Sequence, residues 1–221
     1  MRYNSFLLKG FDVVSAVDFS IMALFLPTFF FVSVTPGMCM TLAMSLGMSI
    51  GLKRTFYMMI GELMGVGVVA LSSVIGVAAI MINHPDIFTI FKYAGGLYLG
   101  YLGLQLWLNR GKMALTQMNC TPSISAFSLA MQGFVTAIAN PKGWAFFIAL
   151  LPPFINQTKP LIPQVSVLLA IILTLEFICL IIYASGGSTM RKFLQKSNNV
   201  RLMNRVAGTL MLGVGVWLAF G

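Results

Sequence analysis

Apolar residues in this chain come in long runs separated by short polar connections. A window of about 19 residues, the length that suits a bilayer crossing, predicts spans near 19–46, 55–82, 87–108, 126–151, 163–183 and 202–220. The last is the shortest: Val206 to Phe220 falls short of a ~30 Å hydrocarbon core at about 1.5 Å per residue. Leu202 and Met203 therefore join it, with Arg205 reaching to the interface. The first seventeen residues alternate charge and apolarity without a signal-peptide core and read as an interfacial lead-in. Asp18 can cap the first span.

Two of the six runs are interrupted. Span one carries "SVTPGM" around Pro36, and span four carries "IANPKG" around Pro141. A proline inside a helix removes one hydrogen bond and clashes with the preceding turn, and the nearby Gly37 and Gly143 loosen the backbone further. Pro36 and Pro141 stand 105 residues apart, and three spans follow each start. Three is odd, so a second copy of a three-span unit enters the membrane upside down. The predicted fold is thus an all-α membrane protein of six transmembrane helices, an inverted three-plus-three repeat with helices one and four broken. It forms a single transmembrane domain, with one repeat over about 18–112 and the other over about 124–221.

Composition agrees. With 58% hydrophobic and 9% charged residues, a water-soluble domain would lack polar residues to cover its surface. The net charge of +9 argues little for nucleic acid, because the basic residues sit at the ends of apolar runs instead of interleaving with aromatics on one face. The connections after spans one, three and five hold nine of them and the opposite side four, which places both termini outside the cytoplasm.

Freed backbone groups in lipid cost several kcal/mol each and are tolerated only where protein or a water-filled cavity satisfies them. Two breaks at mid-membrane therefore predict a polar cavity, with half-helix amide ends favouring an anion such as a carboxylate. Pro36, Gly37, Asn140, Pro141 and Lys142 are the candidate substrate-binding residues. Glu62 and Glu176 fall in the middle of spans two and five. A carboxyl group at that depth costs at least ~2.5 kcal/mol and usually faces a partner or a pathway. Each could exchange protons, hold a cationic amine, or pair with Lys142 as an internal salt bridge.

The remaining features read as structure. Glycines four or so apart (Gly61 and Gly65; Gly96, Gly100 and Gly103; Gly208, Gly213 and Gly215) permit close helix contact within the subunit or across a homodimer. His84 reads as a loop residue, and the sixteen methionines as adaptable filler. Cys39, Cys120 and Cys179 form no CxxC pair, so neither a disulfide nor a metal site is indicated. No catalytic constellation and no nucleotide motif is present, and no cofactor is implied.

The chain resembles the LysE/RhtB family of bacterial amino-acid exporters. The resemblance runs from about residue 20 and is carried by "TPG" at Thr35 to Gly37, "GLKRTF", "FKYAGGLYLGYLGLQLW", "NPKGWAFFIALLPPF", "YASGGSTMRKFL" and "LMNRVAGTLMLGVGV". It implies a six-helix exporter of the bacterial inner membrane, moving amino acids or homoserine-like compounds outward at the expense of the proton gradient. Pro36, Gly37, Asn140, Pro141 and Lys142 fall on the family's two signature breaks, whereas Glu62 stands where a small or apolar residue is expected. Its partners would be a small amino-acid substrate, protons and membrane lipid. A non-transporting membrane scaffold and a metal-ion transporter of related topology are the alternatives.

Overall fold

The computed structural model of the chain describes residues 19–83, 85–108, 124–151, 154–156 and 158–220. The lead-in 1–17, Asp18, His84, Arg110, Lys112 and Cys120 lie outside the described residues. The regular elements are α-helices, with no strand among the described residues: α1 (Phe19–Val34), α2 (Met38–Ile50), α3 (Leu52–Asn83), α4 (Pro85–Leu108), α5 (Ala126–Ile138), α6 (Pro141–Leu150), α7 (Leu161–Gln195) and α8 (Ser197–Phe220). Helix is the expected answer for apolar runs of this length, because it satisfies every backbone group within the segment.

Segments Leu52–Val77 and Leu161–Gly187 are long and apolar enough to cross a membrane, and Met22–Val34 with Met38–Ile50 makes a third if the pair is one crossing, bent by 55°. The bend follows from Pro36. It cannot donate a backbone N–H and pushes the preceding Thr35 out of helical geometry. Gly37 then takes an extended conformation (φ −133°, ψ −170°) as the N-cap of α2. In the second case Asn140 is the N-cap and Pro141 opens α6 at its first turn, where a missing N–H costs nothing.

The helices match the predicted spans closely, except at two ends that hydropathy cannot see. The fifth run ends as a span near 183, and the apolar part of α7 ends at Gly187, where the backbone leaves helical geometry (φ +40°, ψ −115°) and a second helical segment follows across the kink to Gln195. Glycine tolerates that backbone angle cheaply, so the break falls at Gly187 in the polar "SGGSTMRKF". Likewise α8 starts at Ser197, before its apolar run. Arg205 is half-buried with its guanidinium 4.9 Å from the centre of the Trp107 ring, which joins α8 to α4.

Lipid tails are as apolar as leucine, so helix association rests on close packing. Two buried clusters provide it. One, around Phe25, Phe29, Phe146, Phe147 and Phe154, joins α1 and α6 to the later half of α3 and the first half of α7. Phe25 meets Phe154 edge-on at 4.9 Å, and Phe29 stacks near Phe147 at 6.2 Å. The other, rich in methionine (Met40, Met44, Met58 and Met59), joins α2 and the start of α3 to the end of α7.

Glycines set the closest approaches. A Cβ on Gly133 of α5 would lie 2.0 Å from the Met58 carbonyl oxygen of α3, and one on Gly61 would lie 1.8 Å from that of Ala130. Between α2 and α7, a Cβ on Gly47 would meet the Ala184 carbonyl at 2.2 Å. Between α4 and α8, Gly103 faces Gly208 and Gly215 faces Gly96. These glycine stripes are consumed inside the subunit, while Gly100 and Gly213 face open space.

Gly133→Ala should accordingly destabilise the protein by about 1–3 kcal/mol, the usual cost of overpacking. Gly67→Ala, where a Cβ meets nothing within 4 Å, should not lower stability and should raise it by up to about 1 kcal/mol. Thermal unfolding of the detergent-purified variants reads the difference.

Candidate functional site

The two chain interruptions meet. Lys142, in the first turn of α6, donates from Nζ to the carbonyl oxygens of Val32 (3.0 Å) and Thr35 (3.4 Å), at the end of α1. Asn140 works in two directions. Its Oδ1 accepts from the backbone N–H of Lys142 at 3.1 Å, and its Nδ2 lies 3.8 Å from Cys39 Sγ in the first turn of α2. Each break therefore supplies groups that the other lacks.

The reason is the accounting of backbone polar groups. A helix ends with four carbonyls that have no intrahelical partner and carry the negative end of its dipole. At α1, Phe31 O accepts from Thr35 N and Oγ1, Val32 O from Lys142, and Val34 O from the Tyr183 hydroxyl of α7 at 2.7 Å. At the end of α5, the Trp144 indole donates to Ile138 O at 2.8 Å. The Lys142 ammonium is thus a C-terminal cap for α1. The salt bridge with Glu62 or Glu176 that the sequence left open is not formed; the ammonium donates to two carbonyls instead.

The carboxylates differ in environment. Glu176 of α7 accepts a hydrogen bond from the Ser33 hydroxyl of α1. Glu62 of α3 is wholly buried, and neither of its carboxylate oxygens has a hydrogen-bond partner. Glu176 and Cys39 are its close side-chain neighbours. An unpaired polar group left buried costs about 1–3 kcal/mol, and more if charged.

Around these groups lies a chamber of about 60 Å³, where the two core clusters meet. Gly37, Glu62, Asn140, Lys142 and Glu176 line it, with Phe29, Val66 and Phe146 among its apolar walls. Pro36 and Pro141 shape the breaks without lining it. At about 10–15 Å³ per water, the space suits a few waters or one small charged head group. The start of α2, where Gly37 offers no side-chain cap, opens on the chamber. The start of α6 is already closed by Asn140.

Ser33 and Tyr183 are site residues that the sequence reading missed. Tyr183 follows Glu176 by seven, two helical turns on the same face, a signal that periodicity could have given. Ser33 has no such mark.

A family profile described as LysE type translocator matches residues 30–221. The chain belongs to the LysE family. This family is one of membrane translocators, which are transporters rather than enzymes. A relative from Vibrio cholerae, bearing the name uncharacterized membrane protein, is 28% identical over 92% of this chain and 98% of its own length. The homoserine/homoserine lactone efflux protein of Salmonella typhi is 25% identical over 85% of this chain and 90% of its own. The leucine efflux protein of Enterobacter sp. (strain 638) is 26% identical over 86% and 90%. No solved structure matches.

Tyr183→Phe should keep the ring in place and leave Val34 O without its donor. The expected loss is roughly 1 kcal/mol of stability, read as a lower midpoint in thermal unfolding.

Proposed function

We propose that this LysE-family chain is a secondary exporter of amino acids or their derivatives across the bacterial inner membrane, coupled to protons. Six spans form an inverted repeat with both termini on the periplasmic side, and rocking one repeat against the other alternates access to the chamber. The observation that carries the reading is Glu62. A fully buried carboxyl with two empty acceptor oxygens, across from an uncapped helix start, is a pair of complementary half-sites of opposite sign.

An α-amino acid matches that pair. Its ammonium donates to Glu62, replacing hydrogen bonds the group lacks. Its carboxylate takes the free amides at the start of α2 and the third N–H of Lys142, whose Nζ lies 3.9 Å from where a Cβ on Gly37 would stand. Glu176, already held by Ser33, sets the field beside it and shares the proton traffic with Glu62. When the substrate leaves outward, a proton entering from outside replaces its ammonium on the dyad, and this exchange couples export to the gradient. Amino-acid efflux names on two of the relatives support the same reading.

Export of amino acids from cells loaded with dipeptides tests it. Glu62→Gln should abolish export while the protein still reaches the membrane, and Glu176→Gln should reduce it less. Full activity of Glu62→Gln would remove the carboxyl from the mechanism.

A further inference from the structure

A second and larger cavity, of about 540 Å³, lies beside the chamber, between α4, α8 and the junction of the two breaks. Leu102, Leu106 and Leu108 of α4 and Met211 of α8 form its walls, and Gln105 is the polar side chain among them. Val32, Lys142 and Phe146 line both spaces. The two cavities are therefore neighbours across the same side chains, one small and charged, the other large and apolar.

We infer that the large cavity receives the substrate's side chain, so that the protein exports amino acids with bulky apolar side chains in preference to small polar ones. This rests on the zwitterion reading of the chamber. The small chamber has room for an ammonium and a carboxylate and for little else. Whatever extends from the α-carbon must leave it, and the cavity beyond Lys142 and Phe146 is the adjoining space. There the ammonium of Lys142 is turned toward the carbonyls of α1, which leaves its aliphatic stem to meet the side chain. A hydroxyl placed among three leucines and a methionine loses water and finds Gln105 alone to replace it. Each methylene gained there is worth roughly tenfold or more in discrimination. The cavity's Gln105–Leu108 end precedes the basic residues Arg110 and Lys112 in sequence, on the side that the positive-inside rule gives to the cytoplasm, where an exporter loads.

The test is counterflow into proteoliposomes holding the purified full-length protein, with leucine, methionine and phenylalanine compared against serine, threonine and homoserine. The expected result is at least a tenfold higher kcat/KM for the apolar set. Leu106→Trp and Met211→Trp, scored against the amount of folded protein in the vesicles, should cut the apolar set at least tenfold and spare the small polar set. Equal or reversed preference in the natural protein overturns the inference while leaving amino-acid export intact. So does a tryptophan that lowers every substrate alike, or none, the result expected if lipid acyl chains fill the cavity. Absence of counterflow with every amino acid sinks the export reading itself, and this inference with it.

Discussion

Interrupting a helix inside a bilayer leaves carbonyls and amides that lipid cannot satisfy, and the arrangement of this protein around its centre follows from that one constraint. The carbonyl end of α1 is covered by Lys142 from α6 and Tyr183 from α7, and the end of α5 by Trp144. A kink has become a junction, because the groups that complete one interruption are carried by elements of the other half of the chain. The cation that sequence reading offers as a free ligand is held in place by this duty, with one donor left over.

The same accounting explains where chemistry is available. Most polar groups near the junction are spoken for: Glu176 by Ser33, Asn140 by the backbone of α6 and Cys39, Lys142 by two carbonyls. Glu62 and the start of α2 are the exceptions, one an unfilled acceptor and the other an uncapped set of donors. The junction thus holds one carboxylate closed by Ser33 and one that accepts no hydrogen bond.

Packing complements this polar centre. On the α3–α5 and α2–α7 contacts, glycines bring backbones closer than any side chain would allow, while the Phe cluster ties α1 to α6. The pair α4 and α8, joined through its own glycines and through Arg205 on Trp107, stands beside the junction and bounds the larger cavity. Two kinds of space result, a cramped charged one at the breaks and a roomy apolar one at the flank.

Much of this was legible in the sequence. Hydropathy located the apolar helices, though not the polar extensions of α7 to Gln195 and of α8 from Ser197, and Pro36 and Pro141, each with a glycine close behind, marked both interruptions, whereas Pro27 lies inside α1 without ending it. Glu62, Glu176 and Lys142 stood out by cost, as ionisable groups within apolar runs. Partnership was not legible. Whether Lys142 meets a carboxylate or a carbonyl, whether Gly103 and Gly208 pack inside one subunit, and which glutamate Ser33 reaches depend on contacts between residues some 100 or more apart in the chain. Those contacts are fixed by the way the helices fit together, and the local pattern of a sequence carries no record of that fit.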